Sequence, residues 1–277
     1  MTRRLRFLLG GKAVLLVDRN ALYTVVLQQR QALTHNVCLL RFSLENSRQK
    51  LGIQPGQHVL LHAWICQHLV TRPYTPVTFC DQRGHFDVVV KVYNASAAFP
   101  TGGLMSQYLD RLLPGSIIQV QGPRGRFIYE GRGQFVLRGG RRLKRATQIG
   151  MIAAGSGVTP MLQLLHHVIE SCDRTHMVLV NVNATEDDII AREKLDWYAL
   201  RFSANIRIWH VLSKLPLSDV PKNFVQGPLT KSIVAALLPP PDPKTVVLCC
   251  GPPGLLYDVC KPALKNIGHD ATQVLIF

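Results

Sequence analysis

The chain contains no Cys-x-x-Cys pair, and its seven cysteines, at positions 38, 66, 80, 172, 249, 250 and 260, are scattered and odd in number. The first absence removes the usual zinc spacings. The second argues against a disulfide framework and for a reducing compartment. His58 and His62 lie in QHVLLHAWI, a predicted strand, where their spacing separates them by roughly 13 Å. His166 and His167 are adjacent on a predicted helix and point in different directions, so no metal site is expected. Long apolar runs are also missing. None approaches the ~20 residues that cross a bilayer, so no transmembrane segment is expected and any membrane association would come through a partner. No repeat recurs at a fixed period. The opening MTRRLRFLLGG is too short for a secretory signal and lacks the Gly at position 2 that myristoylation needs. For residues 1–17 a frayed terminus and a mitochondrial targeting segment both stay open.

Acids are scarce. Against 32 Lys and Arg stand only 17 Asp and Glu, a net charge of +15. Such an excess points to an acidic partner or to a solvated basic surface. Basic residues gather at RGGRRLKR, positions 138 to 145, which reads as part of an exposed linker over 138–146. No nucleic-acid motif accompanies it, and no nucleic-acid partner is expected.

What is present falls into two grammars, and 277 residues suffice for two domains. From residue 18 to 137, ALYTVVLQQ, VCLLRFSL, HVLLHAWI, FDVVVKVY, SIIQVQG and QFVL are short β-rich runs bounded by turn residues. They predict an antiparallel six-stranded β-barrel, interrupted by one helical stretch, LMSQYLDRLL. From 147 to 277, QIGMIAAG, MVLVNVN, NIRIWHVL, KTVVLCCG and QVLIF read as strands. The helices between them are predicted at TPMLQLLHHVIESC, TEDDIIAREKLDWYALRF (with Thr185 as N-cap), TKSIVAALL and PGLLYDVCKPALKNI. That alternation predicts a C-terminal α/β domain with a doubly wound parallel sheet, whose ligands bind at the carboxyl ends of strands.

Four motifs carry candidate chemistry. In AAGSGVTPM, Gly155 and Gly157 follow a strand and precede a helix, so that backbone and helix N-terminus can meet a phosphate; taken alone, a tight turn explains the glycines equally well. CCGPP, with Cys250, Gly251 and Pro252, ends another buried strand, where a Cys is ordinarily a small hydrophobe. In RPYTPV, Arg72, Pro73, Tyr74 and Thr75 put a cation, a ring and a hydroxyl together, suited to a ligand with a phosphate and an aromatic ring. In PTGGLMSQYL, Gly102 and Gly103 open a helix that carries Ser106 in its first turn, a second anion site on the other domain. Two anion sites and an aromatic platform suit a dinucleotide passing electrons to a flavin.

These stretches, together with QPGQHVLL, GGLMSQYLD, GPRGRFIYEGRG, NATEDDI and LPPP in the same order, closely resemble the NADH–cytochrome b5 reductase family, within the wider ferredoxin–NADP reductase superfamily. The resemblance runs from about residue 18 to Phe277. It implies FAD on the barrel and NADH on the α/β domain, with NADPH left open. Arg72 would hold the FAD phosphate, Tyr74 stack on the isoalloxazine or ribityl, and Thr75 reach N5. Val90 and Val92 would line the flavin, and Leu104, Met105 and Ser106 contact the pyrophosphate. Lys91 and Thr159 would sit by the nicotinamide, Gly155, Gly157, Cys250, Gly251 and Pro252 form the dinucleotide site, and Phe277 provide the aromatic end. Thr75, Lys91, Thr159 and Cys250 are then the side chains nearest the hydride transfer. The implied activity is a reductase passing single electrons to an acidic heme protein such as cytochrome b5. The implied setting is an intracellular monomer, cytoplasmic or at the endoplasmic reticulum or mitochondrial surface.

This chain departs from the family pattern at Leu104, usually Lys, at the loop AGSG, usually GGTG, and in a shorter segment between Tyr93 and Gly102. It also has Ser213 and Lys214 where NADH-selective members have Asp and Arg, which removes a carboxylate that repels a 2′-phosphate. Two other readings differ in kind: the same flavin chemistry with another heme domain or a quinone as acceptor, and a degenerate homologue kept as an interaction module. Retention of RPYT, GVTP and CGPP together argues against the last.

Overall fold

The computed structural model describes residues 13–97, 99–216 and 218–277. The expectations for the basic opening therefore lie mostly outside the described residues.

The N-terminal sheet holds β1 (Tyr23–Thr34), β2 (Val37–Ser43), β3 (His58–Ile65), β4 (His68–Tyr74), β5 (His85–Lys91) and β6 (Ile117–Arg124). They run in the order β4-β3-β6-β1-β2-β5, every neighbouring pair antiparallel. Alternate residues face inward: Val59, Leu61 and Ala63 of β3 meet Val25 and Leu27 of β1 in one apolar core. The open edges approach where Pro76 bridges Val88 and Val77 N donates to Asp87 O at 2.9 Å. A short helix, α1 (Leu104–Asp110), lies between β5 and β6 in sequence, and Met105 and Leu109 drop from it into the barrel core.

One strand assignment differs from the sequence reading. QFVL does not join the barrel; it forms β8 (Gln134–Leu137), which pairs with β7 (Phe127–Gly131) in a separate hairpin. The sixth barrel strand is β4. The reason is where large aromatics find cover: Phe127, Tyr129 and Phe135 bury against Ile149 and Met151 of the second domain. The Tyr129 hydroxyl donates to buried Asp173 at 2.6 Å, and the Arg132 amide donates to the same carboxylate. Basic segment 138–146 folds back along this hairpin, with Arg142 paired to Glu130 at 2.6 Å and Leu143 N donating to Phe135 O at 3.0 Å.

The second sheet comprises β9 (Gln148–Ala154), β10 (His176–Asn183), β11 (Ile206–Leu212), β12 (Phe224–Gln226), β13 (Thr245–Cys250) and β14 (Val274–Ile276). Its order is β12-β11-β10-β9-β13-β14, all parallel. Helices α2 (Val158–Glu170) and α3 (Arg192–Arg201) cover one face, and α4 (Lys231–Leu237) and α5 (Lys261–Ile267) the other. Strand β9 shows why both faces must be covered: Met151 packs under α2 while its neighbour Ile152 packs against the α4 and α5 side.

Two predicted helices are interrupted. TEDDIIAREKLDWYALRF breaks after a short turn at Glu186–Asp188, and Thr185 caps that turn, not α3. Ile189 and Ile190 are consecutive and both buried, and Ala191 takes a left-handed φ of 55° before α3 begins. PGLLYDVCKPALKNI widens into a π-helical turn over Leu255–Cys260 before α5. Pro262 has no amide hydrogen to donate backward and crowds the preceding turn, which a wider turn relieves.

Candidate functional site

The switch point of the parallel sheet lies between β9 and β13, from which the chain winds outward in both directions. At the carboxyl end of β9, Gly155 has φ of 52°, and nothing lies within 4 Å of where its Cβ would sit. The backbone is therefore open to a ligand there. Gly157 is the opposite case: a Cβ would stand 2.3 Å from the Cys250 carbonyl oxygen. Gly251 is similarly close to Ala154, at 3.0 Å. Glycine is what lets the β9 loop and the β13 loop lie against each other, and so assembles AGSG and CCGPP into one crevice. No side chain caps α2, and its first turn holds no acid, so the site fits an anion. Thr159 is buried, its hydroxyl donating to Ser156 O at 3.1 Å.

Burial pushes the Cys250 thiol up to about 11, so it stays neutral and unreactive near neutral pH. Pro252 is exposed at the mouth of this crevice. Ser213 and Lys214 follow β11, both exposed, and their amides donate to Asn183 O and Ala184 O at 3.2 and 2.9 Å. Their side chains enter no ion pair among the described residues.

The barrel side is built from side chains. Arg72 is exposed on β4; it donates once, to Thr71 O at 2.8 Å, and meets no carboxylate among the described residues. Pro73 is exposed, and Thr75 is half-buried just past the strand. Tyr74 leans on the barrel core, and burial pushes its phenol above the ordinary range. Gly102, with φ of 59°, and Gly103 lead into α1, which also lacks a side-chain cap and any acid in its first turn. A guanidinium with free donors beside an uncapped helix start fits a pyrophosphate.

Several expected contacts look different at this level. The Ser106 hydroxyl is buried and already engaged, accepting from Tyr93 N at 3.1 Å and donating to Gly103 O at 2.9 Å, so it braces the loop. The Val90 and Met105 side chains point into the barrel core, leaving only their backbones for a ligand. Val92 is buried and Leu104 exposed.

Residues 91–93 join the two halves. Lys91 Nζ donates to Asp188 Oδ1 of the second domain at 2.8 Å, with both side chains largely shielded. Burial opposes ionisation of Asp188, but hydrogen bonds from Lys91 and Thr185 outweigh it and hold the carboxyl below its ordinary value. Two residues on, the Tyr93 hydroxyl lies 3.3 Å from Ser156 Oγ in the glycine loop. Gln163 on α2 adds a third tie, accepting from Gly56 N at 2.9 Å and donating to Gln57 O at 3.2 Å. Phe277 N donates to Cys249 O, and the Phe277 ring meets Phe127 with centroids 4.9 Å apart. Tyr93, Asp188 and Gln163 were not singled out by sequence reasoning. Only Gln163 left a signal there, as a polar residue inside the apolar run MLQLL.

Comparison with known proteins agrees with this division. An oxidoreductase FAD-binding domain family matches residues 24–129, and an oxidoreductase NAD-binding domain family matches residues 151–261. NADH-cytochrome b5 reductase 2 of Xenopus laevis is 37% identical over 92% of this chain and 88% of its own length. The protein of that name from Homo sapiens is 36% identical, over 95% of this chain and 96% of its own. The cytochrome b5 reductase domain of Ulva prolifera nitrate reductase superposes with a TM-score of 0.86 at 31% identity, over 94% of this chain and 98% of that one.

Proposed function

This chain belongs to the NADH–cytochrome b5 reductase family, oxidoreductases that bind FAD and NADH, and we propose that it carries electrons from NADH through FAD to cytochrome b5. When bound, FAD would supply the redox chemistry, a two-electron hydride acceptor able to give up single electrons. The protein's part is position and dryness. In this reading Arg72 and the start of α1 hold the flavin's phosphates, and Tyr74 supports its ring system. Gly155, Gly157 and Gly251 let the dinucleotide's phosphates approach the backbone. Thr159 and Lys91 stand at the seam where nicotinamide and flavin meet. No side chain has to take or give a proton, in keeping with a neutral Cys250.

The observation that carries the proposal is the seam itself. Lys91–Asp188 ties the barrel to the turn after β10, and Tyr93–Ser156 ties it to the glycine loop. Two ligands held on either side would therefore face each other.

The test is anaerobic addition of NADH to the yellow protein, followed by mixing with cytochrome b5. NADH should bleach the flavin, and cytochrome b5 should be reduced over many turnovers. Bleaching without reduction of cytochrome b5 would assign another acceptor. The net charge of +15 adds a salt dependence. Reduction of an acidic cytochrome should slow as the screening length shrinks from ~10 Å at 0.1 M salt to ~3 Å at 1 M, while a small neutral acceptor should respond little.

A further inference from the structure

The outer face of the barrel carries an apolar row that the proposed cycle does not use. Leu69 of β4 pairs across the ladder with Trp64 of β3, and Val26 of β1 pairs with Ile117 of β6. Two residues beyond the His62–Gln119 pair, Trp64 comes level with Ile117. Four adjacent strands thus line up Leu69, Trp64, Ile117 and Val26, and Leu113 stands beside them in the turn before β6. Their exposures are 52%, 69%, 62%, 38% and 72%. The neighbours Val70, Ala63, Ile118 and Val25 are all buried, so the row belongs to the outer face. Thr71, His62, Gln119 and Thr24 form the next outward-facing row, and it is polar. The apolar side chains are therefore confined to one rim of the barrel.

We propose that this rim is a peripheral contact for an anionic lipid surface. A single row of five side chains falls short of the ~800 Å² per partner that stable protein interfaces bury. It suits shallow entry into the headgroup boundary, where Trp is favoured and aliphatic tips are buried. Charge agrees. Asp110, the acid that ends α1 just ahead of the rim, is paired to Arg30, whereas the adjoining Arg111 is exposed and meets no carboxylate among the described residues. The whole chain stands at +15. Among the described residues no helix is long and apolar enough to cross a membrane. Arg72 and Tyr74 alternate with Leu69 along β4 and face the other way. Docking by the rim leaves Arg72 and Tyr74 uncovered.

The FAD-loaded full chain should sediment with vesicles of phosphatidylcholine plus phosphatidylserine at low salt, and much less with phosphatidylcholine alone. Trp64→Ser combined with Ile117→Thr should lower that partitioning on the order of tenfold, with NADH–ferricyanide turnover unchanged. Leu113→Ser, in a turn outside the ladder, should lower it about threefold without touching a strand. Trp197→Ser, a comparably exposed tryptophan on α3 at 53%, should change nothing. Equal sedimentation of all variants, or no sedimentation of the unmodified chain, overturns the proposal. So does self-association in solution that the rim substitutions abolish while vesicle binding persists, which would assign the rim to a second copy.

Discussion

The two sides of the site are made of different material. On the barrel the candidate groups are side chains, such as Arg72 with its spare donors and Tyr74 leaning on the core, both on the strand β4. On the α/β domain they are stretches of backbone from which side chains are absent, with Gly155 opening a space and Gly157 permitting a contact. A side-chain site should fail by degrees when a residue is replaced. A backbone site should fail abruptly wherever the missing Cβ is what permits the packing, and hardly at all elsewhere.

Gly157→Ala should have the largest effect. Its Cβ would collide with a carbonyl of β13 that has no freedom to move, so a loss of about 3 kcal/mol in α/β-domain stability is expected, at the upper end of overpacking costs. NADH-driven bleaching should disappear while the barrel keeps its FAD. Gly155→Ala meets only a backbone cost of ~1–2 kcal/mol. Denaturant melts of the two variants beside wild type check this, and equal destabilisation would break the contrast.

Next comes Arg72→Ala. Losing a charge-assisted phosphate contact of about 1.5–3 kcal/mol should weaken FAD affinity about ten- to a hundredfold. Flavin titration of the apoprotein reads the change, and undiminished affinity would remove Arg72 from the site.

Asp188→Asn probes the tie between the halves and should cost about 1–2 kcal/mol at neutral pH. Because the folded carboxyl titrates below its ordinary value, its contribution is fully present above about pH 4–5 and is lost as pH falls through the folded pKa. The variant should therefore match wild type at low pH and diverge above. A constant difference across pH would mean that the charge on Asp188 is not what matters.

Ser213→Asp should have the smallest effect. Ser213 and Lys214 are exposed, so an added carboxylate changes preference between NADH and NADPH by roughly 1 kcal/mol, about fivefold. The unmodified chain should use both dinucleotides, with kcat/KM as the readout. A strong NADH preference before any substitution would show that this pair does not set selectivity.

Most elements, and the motif residues on them, were legible because they depend on local periodicity. The exceptions have tertiary causes. QFVL has a strand's composition, but composition does not say which sheet receives it; three aromatics covered by the second domain decide that. The predicted helix from Thr185 to Phe202 reads as continuous because nothing in DDIIARE marks a break. Burial of Ile189 and Ile190 together imposes it. Ser106 was read as a ligand contact from its place in a helix first turn and Thr159 from the family resemblance, and the loops around them already engage both hydroxyls.

By itself the sequence determined the two grammars of the chain, the glycine turns and the RPYT cluster, since each is specified by neighbours a few residues apart. Tertiary structure alone decided that Lys91 meets Asp188 and that Gln163 reaches Gly56, pairs 97 and 107 residues apart. It alone decided that Trp64 and Ile117 share a rim. Those pairings follow from strand register and domain docking, which are set by how whole faces of apolar residues bury one another.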